Sequence, residues 1–441
     1  MSETATHEAS RPIDTMSPSE IKAVQGDLLA ETLEYAYRHS PYYSRVLKER
    51  GLRPSDISGV DALAALPLTS RQDLQQHNWE FLATPKGDIA ELVATSGTTG
   101  EPAFVAMTRS DLERLARNEE MSFGYAGVSR GDRFHIAVTC DNLFIAGVAY
   151  YSGLLRRGAT VMRVGPRNML RHLDIIERMS PTGIVAVPSF IVQMIRRMEE
   201  QNRDVAGLGI KKIVLIGDSI RNADLGSNTL GDLIERSFGR VCYSTYGITE
   251  GQLSFCECGQ FQGLHSHPEF VIAEIVDDAG ACLPDGAVGE LVLTPLGIKG
   301  MPLIRYRTGD MTFRIAEPCA CGRNSVRIGA ILGRKNQRLK VKGVTLYPKT
   351  LENAILSVKE IVNYQIEVST GDDLTDRIVL RVGATDRRED LLPMLHETLQ
   401  AKARVTPIVE IEAPEKIEKR IFEDGGRKAL VFKDRRITRY E

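Results

Sequence analysis

The strongest constraint on the fold is an alternation between residues 89 and 250. Short apolar runs, Phe134-His135-Ile136-Ala137-Val138, Thr160-Val161-Met162-Arg163-Val164, Gly183-Ile184-Val185-Ala186-Val187 and Lys212-Ile213-Val214-Leu215-Ile216, are separated by helix-like stretches such as 168–179 and 190–201. Strand–helix alternation of this kind predicts a mostly parallel sheet covered by helices. Ahead of it, residues 17–50 read as helices, with Leu28, Leu29, Leu33 and Tyr37 near helical spacing. In the turn-rich connection over 51–75, Ser70 is placed to cap a short helix. After residue 268 the pattern changes, and 270–276, 289–294 and 311–315 look like antiparallel strands between Asp-Gly turns. The last hundred residues read as a unit of βαββαβ-like order, with helices at 349–358 and 388–402 and strands at 364–368, 377–382 and 408–411. The expected class is α/β: a large N-terminal domain of mostly parallel sheets covered by helices with a small antiparallel β subdomain, then a small α+β C-terminal domain. The expected boundaries are a disordered tail over 1–16, the large domain over 17–333, a glycine- and charge-rich hinge over 334–342 and the small domain over 343–441.

A chain of 441 residues exceeds one ordinary core, and 42% hydrophobic with 26% charged residues is the composition of a soluble globular protein. The net charge of −2 makes neither nucleic acid nor an anionic membrane an electrostatic partner. No apolar run reaches the ~18 residues that span a bilayer. The polar stretch from Met1 to Arg11 has no apolar signal-peptide core, so a cytoplasmic location is expected. Seven cysteines, an odd number in such a chain, argue against a disulfide framework.

Thr95-Ser96-Gly97-Thr98-Thr99-Gly100 follows a short apolar run and packs hydroxyls and glycines into six residues. Glycines let backbone N–H groups turn toward an anion, and hydroxyls add donors, so such a loop suits a triphosphate. It is not a Walker A loop, because no GxxxxGK[ST] occurs in the chain. Tyr246-Gly247-Ile248-Thr249-Glu250 comes later, then Tyr306-Arg307-Thr308-Gly309-Asp310, Gly333-Arg334-Lys335 and Arg427-Lys428-Ala429. This ordered set, running from Tyr35-Ala36-Tyr37-Arg38-His39-Ser40-Pro41-Tyr42-Tyr43 to Arg436, resembles the adenylate-forming superfamily of acyl-CoA synthetases, and within it the phenylacetate–CoA ligase family.

The resemblance implies an ATP-dependent acid–CoA ligase that passes through an acyl-AMP intermediate. It places the nucleotide on Thr95 through Gly100, on Gly217, Asp218 and Ser219, on Tyr246, Gly247 and Thr249, and on Asp310 and Arg334. Glu250 is the expected Mg²⁺ ligand, since Mg²⁺ takes one or two carboxylates together with phosphate oxygens and water. Thr249 is expected to donate to the α-phosphate, Tyr246 to lie against adenine, and Asp310 to accept both ribose hydroxyls. Lys428 is the expected catalytic lysine, with Lys433 as the alternative; a cation there can bridge carboxylate and α-phosphate as charge builds. Read without the resemblance, Lys428, Lys433, Arg435 and Arg436 form a solvated basic tail. After adenylation the small domain is expected to turn about the hinge and present a face around Lys340, Lys342 and Gly343 to CoA. Phe144, Gly147, Tyr150, Pro188 and Ser189 are the expected acyl-binding residues; with no arginine or lysine in 143–150 or 188–189, a small monocarboxylate such as phenylacetate or another aryl acid is favoured. The chain departs from the family pattern at Glu101, where a basic residue is usual, at Asp218-Ser219 for Ala-Glu, at Asn336 for Asp and at Arg427 for Gly. A homodimer is the family expectation.

Cys256-Glu257-Cys258, His265 and Cys319-Ala320-Cys321 supply soft and borderline ligands from two knuckles, enough to close a tetrahedral structural Zn²⁺ site. Some members of the family carry a similar arrangement, which favours Cys258, His265, Cys319 and Cys321, with Cys256 as the alternative and buried free thiols as the reading without metal. Other functions stay open at this point. They are activation of a short branched or hydroxylated aliphatic acid, loading of a carrier protein, a non-catalytic zinc-stabilised binding protein, and a GDS-type esterase on Gly217-Asp218-Ser219. The esterase lacks the late Asp-x-x-His that its class needs. His135 and His172 read as core histidines.

Overall fold

The computed structural model describes residues 11–95, 103–166, 168–341, 344–371, 376–386, 388–422 and 430–436. They fall into two compact units: unit 1 is Met1–Gly226, Leu233–Thr308 and Thr312–Ala330, and unit 2 is Ser227–Asp232, Gly309–Met311 and Ile331–Glu441. No helix among the described residues is long and apolar enough to cross a membrane.

Unit 1 begins with helices α1 (Pro18–His39) and α2 (Pro41–Glu49). Ser17 caps α1 reciprocally with Glu20, and Ser40 ends α1 while capping α2, where Pro41 takes the first position. Ser70 caps α3 (Arg71–Gln76) with Asp73. Strands β1 (Ile89–Ala94) and β2 (Phe104–Thr108) form an antiparallel pair, and Thr108 caps α4 (Arg109–Tyr125) with Asp111. Of the stretch expected to be a tail, residues 11–16 belong to the fold. Asp14 is buried, accepting from Tyr125 Oη (2.6 Å) and Arg323 Nε (3.0 Å), while Asn324 N–H donates to its carbonyl at 2.7 Å.

The expected alternation follows: β3 (Arg133–Ile136), α5 (Ile145–Arg156), β4 (Thr160–Arg163), α6 (Met169–Met179), β5 (Gly183–Ala186), α7 (Pro188–Glu200), β6 (Lys212–Leu215), α8 (Thr229–Phe238) and β7 (Cys242–Ile248). The strands pair in parallel in the order β4-β3-β5-β6-β7. The sheet continues antiparallel through β8 (Leu253–Glu257) and β9 (Leu264–His265) and ends on two further short strands, nine in all among the described residues. A second sheet holds β10 (Val271–Val276), β11 (Gly289–Pro295) and β12 (Tyr306–Thr312).

One expected strand is corrected. The 311–315 run breaks at Phe313: β12 ends at Thr312, and β13 (Arg314–Ile315) pairs instead with β14 (Arg327–Ile328) at the far edge of the nine-stranded sheet. Thr312 Oγ1 donates to the carbonyls of Gly329 and Ala330 at 3.1 Å, and Gly329 has no side chain to displace the Phe313 ring, so the chain crosses between sheets there.

In unit 2, β15 (Gly333–Arg334) pairs with Asp310 and Met311. The hairpin β16 (Leu339–Val341) and β17 (Val344–Leu346) follows, then α9 (Pro348–Leu356), β18 (Ile361–Thr370), β19 (Asp376–Ala384), α10 (Leu391–Ala403), β20 (Ile408–Glu412), α11 (Pro414–Ile421) and β21 (Phe432–Asp434). The sheet order is β20-β19-β18-β21. Its core gathers Leu351, Ile355, Ile366, Leu380, Leu391, Leu395 and Leu399, all buried. The sequence pattern misses α11, which buries only Ile417 and Ile421, and β21, which has three residues.

Candidate active site and metal centre

Because β5, β6 and β7 run parallel, their C-terminal ends open on one edge of the sheet, where ligands bind in open α/β folds. That edge carries Val187-Pro188-Ser189, Gly217-Asp218-Ser219 and Thr249-Glu250. Gly217 has φ +77°, and a Cβ there would lie 3.6 Å from Val187 Cγ1, so the two strand ends are neighbours. Asp218 Oδ1 accepts from Ser219 N–H at 3.0 Å, and Ser219 Oγ both accepts from Arg221 N–H (3.2 Å) and donates to the Arg221 carbonyl (3.1 Å). Arg221, which carries no signal in the sequence, locks this turn in place. Its buried guanidinium donates to Glu257 (3.0 Å), Glu235 (2.8 Å) and the Cys242 carbonyl (3.1 Å).

Tyr246 is buried, its ring stacked at 5.9 Å on Phe255 of the neighbouring strand. A Cβ on Gly247 would come within 2.9 Å of the Leu253 carbonyl oxygen, which explains the glycine. The Thr249 carbonyl accepts from Gln252 N–H at 3.2 Å, closing a turn that sinks Glu250 below the surface. Glu250 Oε1 accepts from Tyr306 Oη at 3.1 Å. Tyr306 stands in the motif ending at Asp310, yet nothing in that motif marks its hydroxyl as a partner of Glu250.

Thr95 is the described end of the phosphate-type loop; Ser96, Gly97, Thr98, Thr99 and Gly100 lie outside the described residues. Its hydroxyl accepts from Ala103 N–H (3.0 Å) and from Arg71 Nη2 (3.2 Å), and its N–H donates to the Ala103 carbonyl (3.0 Å), so Thr95 and Ala103 pin the neck of the loop. Among the described residues Arg71 has no ion pair, and its buried Nε has no hydrogen-bond partner there. Its position right after the capping Ser70 was the only available signal.

The expected acyl-binding segment enters through Asn142 and Leu143, both left-handed (φ +57° and +58°), a costly backbone for residues with a Cβ. Phe144 then precedes α5. Gly147 is a packing glycine: a Cβ there would lie 2.0 Å from the Thr139 carbonyl oxygen. Tyr150 is buried, with Oη 3.4 Å from Thr245 Oγ1, which donates to the Leu215 carbonyl at 2.9 Å. This contact ties α5 to the middle of β7 and, through Thr245, to the end of β6. Pro188 is buried and Ser189 exposed. His135 and His172 pair with each other in the core, Nε2 to Nδ1 at 2.7 Å.

Within unit 2, Asp310 is buried and faces Arg334 across the β12–β15 pair, with Nε to Oδ1 at 3.3 Å. Lys342, Gly343 and Lys428 lie outside the described residues.

The cysteine knuckles converge. The ligand atoms of Cys258, His265, Cys319 and Cys321 all lie within 4.8 Å of one another. Bonds of ~2.3 Å to sulfur and ~2.0–2.1 Å to nitrogen imply tetrahedral edges of about 3.8 Å between sulfurs and about 3.6 Å between sulfur and nitrogen. The observed edges are 3.7 Å for Cys258–Cys319 and 3.5 Å for Cys321 Sγ–His265 Nε2, so the group fits Zn²⁺. Burial holds His265 down at about 3, with Arg327 and Arg323 adding to the effect, so the imidazole is neutral. Its Nδ1 lies 3.0 Å from Ser325 Oγ; with the ring proton there, Nε2 presents a lone pair to the cluster. Burial pushes the Cys258 thiol up, whereas hydrogen bonds from Arg323 and the neighbouring thiols hold Cys321 down against the same burial. Cys256 lies outside the group, packed with Phe134 and Val185. Ser325, unremarkable in the sequence, follows the second knuckle closely.

Residues 19–298 match the AMP-binding enzyme family. A phenylacetate–coenzyme A ligase of Thermus thermophilus is 33% identical over 362 residues, covering 81% of this chain and 80% of the relative. One from Escherichia coli is 31% identical over 393 residues, covering 88% and 87%. A solved 2-hydroxyisobutyryl-CoA ligase, in the postadenylation state, superposes with a TM-score of 0.84 over 96% of this chain and 91% of that one; at 22% identity, the likeness is one of fold. With the family matched over more than half its length and relatives above 30% identity along most of it, the chain belongs to the AMP-binding enzymes, in their phenylacetate–CoA ligase family, and is an AMP-forming acid–thiol ligase.

Proposed function

We propose that the acid is a small monocarboxylate, an aryl acid such as phenylacetate, handled in two half-reactions at one site. In the first, a carboxylate oxygen attacks the α-phosphorus of ATP and pyrophosphate leaves. In the second, the CoA thiolate attacks the acyl carbon and AMP leaves. The observation that carries the reading is the convergence of Val187–Ser189, Gly217–Ser219 and Thr249–Glu250 on one sheet edge, with the Tyr150–Thr245 contact beside them.

In this reading Gly217, Asp218, Ser219, Tyr246 and Gly247 frame the adenine, and Thr249 meets the α-phosphate. The loop from Thr95 to Gly100 cradles the phosphates, and Asp310 with Arg334 takes the ribose. Arg71 supplies, from another element, the positive charge that Glu101 does not. Glu250 would hold Mg²⁺, which supplies charge neutralisation to the triphosphate. Phe144, Gly147, Tyr150, Pro188 and Ser189 border the acyl group. Lys428 serves adenylation; after a turn at the hinge, the face around Lys342 and Gly343 serves the thiol. Zn²⁺ on Cys258, His265, Cys319 and Cys321 would tie the two knuckles together and take no part in the reaction. Free thiols and the substrates ATP and CoA suit a cytoplasmic setting.

The test is a panel of carboxylic acids scored by AMP release with and without CoA. Aryl monocarboxylates are expected to give the highest CoA-dependent turnover. Preference for dicarboxylates would overturn the substrate class, and turnover only with a carrier protein would overturn the acceptor.

A further inference from the structure

Arg436 lies in what reads as a solvated basic tail, yet all five of its guanidinium N–H groups are engaged. Nε donates to Asp434 Oδ1 at 2.9 Å, and Nη2 to Asp434 Oδ2 at 2.5 Å and to the Asn336 carbonyl at 3.0 Å. Nη1 donates to the Arg338 carbonyl at 2.9 Å and to Asp376 Oδ2 at 3.3 Å. The same Asp376 oxygen accepts from Lys340 N–H at 2.6 Å. The Arg436 side chain is 19% exposed and that of Asp376 13%. Just before it, β21 lies parallel on β18, and Arg435 N–H donates to the Val368 carbonyl at 2.7 Å. The two carbonyls and the Lys340 amide belong to the hinge stretch. At the other end of that stretch, Gly333 and Arg334 are held by strand pairing to Met311 and Asp310. Between Arg334 and the Asn336 carbonyl lies only Lys335, the first residue of the single turn Lys335–Gln337.

We propose that Arg436 is a positioning residue for the ligation: it makes the hinge from Asn336 to Lys340 one rigid piece with the C-terminal unit, so that the turn between half-reactions is confined to the torsions next to Lys335. The inference rests on the two-orientation reading above. A stiff piece would carry Lys428, eight positions upstream of Arg436 in the sequence, and the Lys340–Gly343 face to repeatable positions. A soft one would let either miss by an ångström, a displacement that costs up to ~10²-fold in rate. Lysine cannot replace the clamp, because one ammonium cannot reach two carbonyls and two carboxylates set around a planar fork.

The test uses full-length Arg436→Ala and Arg436→Lys, with Arg435→Ala as the neighbouring control. Rapid-quench measurement of acyl-AMP formation gives a burst amplitude and a rate constant. Synthetic acyl-AMP with CoA gives the second half-reaction, and hydrogen exchange reports the amides of 336–341. Both Arg436 variants are expected to keep the burst amplitude and the KM for ATP within about twofold. Each half-reaction should slow by about 10- to 100-fold, and the Lys340 amide should exchange at least about tenfold faster, with Arg435→Ala unchanged. A reduced amplitude with an unchanged rate constant would mean a merely structural residue and overturn the proposal, as would unchanged exchange. If Arg436→Ala does not fold, Arg436→Lys, which keeps a charge beside Asp434 and Asp376, distinguishes the same outcomes. Lys428→Ala separates the two ideas. If it leaves adenylation intact, the two-orientation reading fails whatever Arg436 does; if it cripples adenylation while Arg436→Ala is silent, only the clamp fails.

Discussion

The two halves of the nine-stranded sheet share β7 but are held by different means. On the parallel side, β3, β5 and β6 are buried except at Arg133 and Lys212, and Phe134, Ile136, Val185 and Val214 join Phe123, Tyr150 and Leu154 in one core. On the antiparallel side, β9, β13 and β14 have two residues each, too little ladder to hold an edge. Specific side chains do the holding there. Cys258, His265, Cys319 and Cys321 meet, Arg327 donates to the carbonyls of Gln262 and Glu317, and Arg323 reaches Asp14 beside Tyr125. Burial is spread over many atoms and tolerates the loss of any one. A cluster of ties fails together. The half secured by area can therefore leave its strand ends to chemistry, while the half secured by ties needs its ties intact.

If that contrast is right, damage should sort by place. The largest effect is expected at the strand ends. Glu250→Gln should slow acyl-adenylate formation by at least ~10²-fold, the scale of losing an electrostatic contact made to the transition state. The melting temperature should stay close to wild type, since the amide can still accept from Tyr306 Oη. Near-normal pyrophosphate release would remove Glu250 from the reaction. A smaller effect, of the opposite kind, is expected at the knuckles. Purified protein should hold about one Zn²⁺ per chain. Cys319→Ser should lose it and lower the melting temperature by about 5 °C or more, while the protein that remains folded keeps its turnover per site. Metal-free wild-type protein with the same melting curve would return the cysteines to free buried thiols.

The contrast also explains what could be read in advance. The parallel half was legible because its five-residue, mostly apolar runs sit between amphipathic stretches, and neither pattern suits another arrangement. The Cys258–His265–Cys319–Cys321 group was legible by residue type rather than by strand pattern, and a two-residue strand such as Leu264–His265 has no period to detect. The ties were not legible. Tyr306 meets Glu250 across 56 positions of sequence, and nothing in a tyrosine announces its partner. Arg221, Arg71 and Ser325 are ordinary residues whose roles arise only when distant segments meet. Arg436 is hidden for a clearer reason: a run of basic residues looks solvated until acceptors on other segments are known. Asp14 escaped likewise, because its partners Tyr125 and Arg323 lie far along the chain.

The smallest expected effect concerns acid, and it tests whether the halves respond separately. Each contains a buried histidine held down at about 3 mainly by burial: His135 in the parallel half, with His172 adding to the effect, and His265 among the knuckles. An unfolded histidine takes a proton near pH 6.5. Below that pH the unfolded chain binds more protons than the folded one, so stability is full above about pH 6.5 and falls as the pH drops toward 3. His135 contributes a slope of up to about 1.4 kcal/mol per pH unit in that window. His135→Gln keeps a hydrogen-bonding group opposite His172 and removes the titration. Denaturant unfolding of the variant between pH 6 and 4 should therefore show a shallower loss of stability, by about 1 kcal/mol per pH unit, with the pH of zinc release unchanged. Zinc release should instead follow the Cys258–His265–Cys319–Cys321 group, because protons compete with the metal for those ligands. If His135→Gln left the slope as it was, or moved the pH of metal release, the two halves would be one cooperative unit in acid, and burial on one side could not be separated from ties on the other.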